Sequence, residues 1–454
     1  MKKTLLKTEN IFLILCLFWG IVFLFINPPF QSPDELEHFY KMWGYTQHTL
    51  KYEVKEGQTG LTLPKSFSNI HAFYNAYRMS NEKIPFNATI NATKIKLDKN
   101  NTQFLNFTPT SYTPLSYFPS FIVLWILKLL NIKPLCMMYI LRFCSLLVYL
   151  ALTYSAIKIA PCKKWLIFFF ALLPINVYQA ASVSTDGITL GFITLYIAYT
   201  LKLAYGDSKQ INHNGFFVWG SLITLVSILK FAYFPLILLY FLIPKDKFES
   251  TKNYIKIFSI TTIINILIIC LFLLTIMQSP ITSNYGLEHQ FVNKFDLIKE
   301  IIFAPFAYIK NVLASTNFLK GFLYQNMISS IGVTLAMIPA QYIHFAWIGL
   351  IASVFYKSEN ETECNIKIAD RIMLFAVIIL IHFIIMTSVY LIYQTKPYII
   401  GVQGRYLTSL ILPLILLLSS TKFSIKNKVL PISLVLLSLF LLFQTFIMTF
   451  VRYY

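Results

Sequence analysis

Ile11-Phe12-Leu13-Ile14-Leu15-Cys16-Leu17-Phe18-Trp19-Gly20-Ile21-Val22-Phe23-Leu24-Phe25-Ile26 runs without a charged residue between Glu9-Asn10 and Asn27-Pro28-Pro29-Phe30. A helix crosses the bilayer core with roughly 20 mainly apolar residues, and this run is of that order. Lys2, Lys3 and Lys7 ahead of it give it the look of a signal peptide. Asn27-Pro28-Pro29-Phe30 offers no small-residue cleavage site, however, so the run reads as a retained first crossing. Comparable apolar segments recur at about 135–157, 165–181, 187–205, 215–229, 231–243, 257–277, 342–356, 371–393, 406–420 and 429–450. The stretch 116–132 is a shorter candidate and carries Lys128. Composition agrees: of 454 residues 57% are hydrophobic and 17% aromatic, and only 13% are charged. That is about half the usual charged share, too little to cover a water-facing globule. A soluble enzyme, a disordered chain, a disulfide scaffold and a coiled coil are all excluded. The expected fold is an all-α polytopic membrane protein, one membrane domain over 1–454.

The net charge of +19 does not imply nucleic acid. Lysines make up 33 of the 38 basic residues, and many sit in short loops between apolar segments, where an excess of Lys and Arg marks the cytoplasmic side. Loops 158–164, 206–214, 244–256, 357–371 and 421–428 all fall inside if 116–157 makes one net crossing. That favours 116–132 as a shallow or re-entrant helix, with 11 crossings and an outside C-terminus. A hairpin at Asn131-Ile132-Lys133-Pro134 gives 12, and the expected range is about 11–13 transmembrane helices. Two long polar segments then face outward, 28–115 and 278–341, the second with an amphipathic stretch Phe295 to Leu313 suited to the membrane surface. The six cysteines include no pair at metal-ligand spacing, and neither long loop contains one.

Acids are few, so their placement matters. Three are bunched in Pro33-Asp34-Glu35-Leu36-Glu37-His38, just past the first crossing. Adjacent carboxylates can divide catalytic work, one as base and one as positioning group; the same residues also suit a solvated helix start. Asp186 stands beside the long apolar run from Trp165 to Tyr205, where an ionisable group lines a polar cavity or caps a helix. Arginine is scarce, and Arg142 and Arg405 lie at apolar segments, as does Lys230. An Arg fork there fits phosphate or carboxylate, with interfacial snorkelling as the plainer alternative. His38 is the one histidine beside a cluster of acids; no metalloprotease pair, phosphate-cradling Gly-rich loop or nucleophile elbow is present. Acids at one rim and cations at another suit transfer of a group from a polyprenyl-phosphate carrier, with Arg405, Lys230 and Arg142 as phosphate ligands.

Pro28-Pro29-Phe30-Gln31-Ser32-Pro33-Asp34-Glu35-Leu36-Glu37-His38-Phe39 resembles the opening motif of a bacterial membrane family catalogued as domain of unknown function 2142. Tyr112-Thr113-Pro114-Leu115-Ser116-Tyr117 resembles its second element, with Tyr112 and Thr113 where His and Pro are usual. Ser184-Thr185-Asp186, Leu229-Lys230-Phe231-Ala232-Tyr233 and Gln403-Gly404-Arg405-Tyr406-Leu407 resemble later elements in the same order. That family is similar to the GT-C glycosyltransferases, which use lipid-phosphate-linked sugars outside the cytoplasmic (inner) membrane, typically with inversion. The resemblance implies a catalytic acid at Asp34 or Glu35, with Asp34 favoured as base and His38 beside it. It further implies substrate contacts at Asp186, Tyr112, Tyr117, Gln403 and Tyr406. The implied partners are a polyprenyl-phosphate-linked sugar and a cell-envelope acceptor. Some GT-C enzymes need a divalent metal, Mg or Mn, and Asp34, Glu35 and Asp186 are the acids that would hold one. The competing readings are a glycan polymerase or ligase with a polyprenyl-diphosphate donor, and a lipid or solute transporter.

Overall fold

A chain in hydrocarbon must satisfy its backbone N–H and C=O groups internally, and the apolar runs therefore become helices. The computed structural model describes residues 7–77, 82–108, 112–277, 294–332, 336–337, 340–359, 361–393 and 397–454. The first part contains α1 (Thr8–Ile26), α2 (Glu35–Thr46), β1 (Glu53–Lys55), β2 (Gln58–Pro64), α3 (Lys65–Asn75), α4 (Phe86–Lys94) and β3 (Thr102–Asn106). The middle holds α5 (Ser120–Leu129), α6 (Pro134–Ile159), α7 (Lys164–Ala171), α8 (Pro174–Ala180), α9 (Asp186–Tyr205), α10 (His213–Leu229), a 3₁₀ segment Phe231–Leu242 and α11 (Thr251–Met277). Then come α12 (Lys294–Phe303), α13 (Pro305–Ser329), the short β4 (Ser330–Ile331) and β5 (Ala336–Met337), α14 (Ala340–Phe355) and α15 (Ile368–Tyr393). A 3₁₀ segment Gly404–Leu410, α16 (Ile411–Leu416) and α17 (Val429–Tyr453) close the chain.

Among the described residues six helices are long and apolar enough to cross a membrane: α1, α6, α9, α11, α15 and α17. The other apolar segments form shorter or interrupted helices. The 165–181 segment divides into α7 and α8 where Pro174, which has no N–H to donate, begins a new helix. The 231–243 segment is a 3₁₀ helix containing Pro235, and 406–420 begins as 3₁₀ before becoming α16.

The ends of the bundle sort by charge. The five basic loops gather at one end: Thr362 donates to the Pro161 carbonyl at 2.9 Å, Ile211 to Lys247 at 3.0 Å, and Ile425 to Phe355 at 2.8 Å. Tyr205 reaches the Asn365 carbonyl at 3.3 Å, and the start of α1 joins the same end through Tyr154 and Asn10. The last residues of α17 lie at the opposite end, where Ile84 donates to the Tyr453 carbonyl at 2.8 Å. Start and finish on opposite ends mean an odd net number of crossings. The ten residues of α5 rise about 15 Å, half the hydrocarbon core, so α5 fits the shallow helix better than a twelfth crossing.

The first long loop is more ordered than its polar sequence suggests. Strands β1, β2 and β3 form an antiparallel sheet, with Leu61 opposite Leu105 and Leu63 opposite Gln103. Leu61 and Leu63 share the face turned to an aromatic core in which Trp43 meets Phe67 edge-on at 4.7 Å. The all-α expectation thus acquires a small β element. The amphipathic stretch Phe295 to Leu313 divides at Pro305 into α12 and α13, and α13 packs on α15 through Tyr308–Thr387 (2.7 Å) and Thr316–His382 (2.8 Å). Residues 278–293 of the second expected loop lie outside the described residues.

Candidate functional site

Four of the interrupted backbone stretches end at one place. The loop after α8 leads through Ser184 and Thr185 to Asp186, the first residue of α9. Lys230 separates α10 from its 3₁₀ continuation, Gln403 precedes the second 3₁₀ segment, and Asp34 precedes α2. Irregular backbone at membrane depth is tolerated where protein buries it or where it lines a cavity. Close approach is built in: a Cβ on Gly404 would sit 2.5 Å from Asn326 and Met327 of α13, and one on Gly187 would sit 2.7 Å from Ala180.

Arg405 is the hub. Its Nη1 donates to Asp186 Oδ2 at 2.9 Å, its Nη2 pairs with Asp34 Oδ2, and its Nε donates to Gln403 Oε1 at 2.6 Å. Lys230 Nζ lies 3.4 Å from Asp186 Oδ1 and 4.4 Å from the centroid of the Tyr406 ring. Asp186 also has its backbone N–H on Ser184 Oγ at 3.1 Å. Two carboxylates and two cations thus alternate, and they differ in access. The side chains of Arg405, Asp186 and Lys230 are 2%, 10% and 15% exposed, whereas that of Asp34 is 41% exposed. Asp34 takes the left-handed conformation, φ 58°, which turns it away from its neighbour Glu35. Partial burial raises the Asp34 carboxyl, but Arg405 and then His38 outweigh that and hold it below the usual carboxylate range.

His38 lies one turn into α2. It shares a hydrogen bond with the Tyr117 hydroxyl at Nδ1, 2.8 Å, and its ring lies 5.2 Å from that of Tyr112. Burial pushes its imidazole down to about 4 against the opposing pull of Asp34 and Asp186, so it is neutral at ordinary pH. Tyr112 is positioned through its carbonyl, which accepts from the Tyr45 hydroxyl. Tyr406 is held similarly, its carbonyl accepting from Tyr233 at 2.7 Å. Tyr233, Ser184 and Tyr45 support the cluster without having been singled out by the sequence; the first two lie within the motifs around Lys230 and Asp186, while Tyr45 carries no such signal.

Glu35 and Arg142 form a separate unit. Both side chains are fully buried, and all five guanidinium N–H groups are used. Nε and Nη2 grip the Glu35 carboxylate at 2.7 and 2.6 Å, Nη1 donates to the carbonyls of Leu24 and Asn27, and Nη2 also donates to that of Pro28. Glu35 accepts in addition from the backbone of Phe30 at 3.1 Å and Val183 at 3.0 Å. Arg142 has no donor left for a phosphate, so its expected phosphate role gives way to a structural one. The pair ties the end of α1, the start of α2 and the loop leading to Asp186 into one body. Nor do Asp34, Glu35 and Asp186 converge as a metal set. Among the described residues no three His, Cys, Asp or Glu side chains group to hold an ion, and each of these acids faces an arginine.

These features define a multi-pass membrane protein with a compact charge cluster at the end of the bundle away from its basic loops. The chain belongs to the family described as predicted membrane protein (DUF2142), whose model matches residues 17–447. Comparison with curated proteins and with solved structures gives no match.

Proposed function

We propose that the chain is a GT-C type glycosyltransferase of the cytoplasmic membrane, moving a sugar from a polyprenyl-phosphate donor to a cell-envelope acceptor on the outer side. The outward assignment rests on the five basic loops at the opposite end, the side that excess lysine keeps in the cytoplasm. The observation that carries the reading is Arg405, a buried guanidinium shared between a half-exposed carboxylate, Asp34, and a buried one, Asp186. In the resting cluster Arg405 makes Asp34 a weak base. A donor phosphate entering against Arg405 and Lys230 supplies the guanidinium with a competing anion through charge-assisted hydrogen bonds. Asp34, relieved of its partner, regains basicity beside the acceptor. It then removes the acceptor hydroxyl proton as that oxygen attacks the anomeric carbon. The bond from that carbon to the phosphate oxygen breaks, and its electron pair leaves with the phosphate, stabilised by Arg405 and Lys230. Attack opposite the leaving phosphate inverts the anomeric centre.

The interrupted helices around a charged site also suit a lipid or solute transporter. Lipid extracts separate the two readings. Cells lacking the protein should accumulate one polyprenyl-phosphate-linked sugar, cleared by the native chain but not by Asp34→Asn. An unchanged set of lipid-linked sugars, or full clearance by Asp34→Asn, overturns the transferase reading.

A further inference from the structure

A second polar feature lies at the tip of the α5–α6 hairpin, away from the Asp34 cluster. Lys96, Lys99 and Lys133, with Asn100, Asn131 and Asp98, line an open cavity of ≈ 600 Å³. Asp98 is partly committed, because its Oδ1 accepts from the backbone of Asn100 and Asn101 at 3.1 and 3.2 Å. Lys99 also lies within electrostatic reach of Lys128, itself held by the Thr46 carbonyl and hydroxyl at 2.9 and 3.1 Å. Like charges are therefore brought together with little internal compensation. Beneath them, α5 turns an apolar stripe outward: Ile122, Trp125, Ile126, Leu129 and Leu130, each 45–65% exposed and spaced by three and four residues. Tryptophan at such a place is typical of the boundary between hydrocarbon and headgroups.

The depth of the hairpin can be read from α6. Its 26 residues rise about 39 Å, from Pro134 to the basic end at Ile159, and the hydrocarbon core takes about 30 Å of that. The first turn of α6, and with it Lys133, falls at headgroup level. A basic cradle at that level above an apolar stripe matches one ligand class, a lipid with a phosphate in its headgroup.

We propose that this cradle binds an anionic phospholipid of the outer leaflet, its phosphate held by Lys96, Lys99 and Lys133 and its chains lying along the α5 stripe. The site is independent of the proposed transfer reaction. Phosphatidylglycerol and phosphatidylcholine present the same chains with and without net charge, which makes them the probes. The purified full chain, in mixed micelles of the two, is examined by native mass spectrometry for retained lipid. The native chain should retain one phosphatidylglycerol more firmly than phosphatidylcholine. The triple variant Lys96→Ser, Lys99→Ser, Lys133→Ser should weaken that preference by about 100-fold, since each lysine near an anionic surface contributes roughly a fivefold factor. Leu129→Ser with Leu130→Ser should weaken retention of both lipids at this site while leaving the lysine-dependent preference. An unchanged preference in the triple variant overturns the proposal. So does displacement of the retained lipid by millimolar glycerol phosphate, which would show a site for free phosphate, or retention of polyprenyl phosphate with exclusion of phosphatidylglycerol.

Discussion

Replacing Glu35 by Gln is expected to damage the fold far more than replacing its neighbour Asp34 by Asn. Both changes remove one charge at nearly constant size. Glu35 is fully buried and receives four donors, two from Arg142 and two from the backbone of Phe30 and Val183. A Gln amide presents one oxygen and one NH₂. Whichever way it turns, two of those four donors face another donor, and Arg142 keeps a buried charge without its counter-ion. Breaking a buried pair from one side costs about 3–5 kcal/mol. Orphaning the Phe30 or Val183 N–H adds about 1–3 kcal/mol. Asp34 is 41% exposed and its pairing with Arg405 is open to water, so Asp34→Asn should cost about 1 kcal/mol or less. Changing both Glu35 and Arg142 to apolar residues offers no rescue, because three carbonyls and two N–H groups would lose partners together. Unfolding in denaturing detergent, followed by tryptophan fluorescence, should place Glu35→Gln several kcal/mol below the native chain and Asp34→Asn near it. Equal stability of the two variants would refute the view of Glu35–Arg142 as the clamp of the site.

Asp34→Asn should lower sugar transfer by about 10²–10⁴-fold while donor binding is kept or tightened, since the phosphate no longer competes with a carboxylate for Arg405, measured on purified protein with a lipid-linked donor. Arg405→Ala should weaken donor binding, and Arg405→Lys should restore it only in part, because Lys keeps the charge without the planar fork; unchanged affinity in the Ala variant would remove the phosphate role. The folded-state value of His38, about 4, lies below the 6.5 of a free histidine, so the unfolded chain binds the extra proton between these values. His38 should therefore cost stability progressively as pH falls from 6.5 to about 4, on the order of 3 kcal/mol in all, and His38→Gln should flatten that part of the stability–pH curve. Asp34 has the same sign at lower pH: its folded-state value is depressed, so its contribution is complete above the ordinary carboxylate range and is lost only as pH falls through the lower folded value.

Charge and apolar spacing alone read the multi-pass helical architecture and the grouping of the basic loops at one end of the bundle, because apolar runs become helices and the loops between them alternate between its ends. The motifs around Asp34, Asp186, Lys230 and Arg405 were visible as scarce charges beside apolar runs, and the fold unites them. Their division of labour was not legible. Asp34 and Glu35 are adjacent in sequence, yet a positive φ at Asp34 sends one toward the exposed cluster and the other into a buried pair. Arg142 looks like Arg405 in sequence, since each is an arginine in an apolar stretch; only the count of partners tells a saturated guanidinium from one with capacity to spare. The sheet of the first loop left a fainter trace. Leu61 and Leu63 alternate after the Glu56-Gly57 turn, but β3 is too far along the chain for local pattern to pair it with β2.

The separation of 371 residues between Asp34 and Arg405 also sets an order of assembly during synthesis. At about 5–20 residues per second, Asp34 is made roughly 20–75 s before its cation exists. Asp186 meets Lys230 after 44 residues, and Glu35 finds Arg142 after 107. The clamp is thus available early and can organise the first loop and α1 while the rest of the chain is still being inserted. The charge cluster closes only when the last helices arrive, which makes the final third of the chain the step that neutralises the site. A product truncated before Arg405 would leave Asp34 without its cation and Asp186 with Lys230 alone.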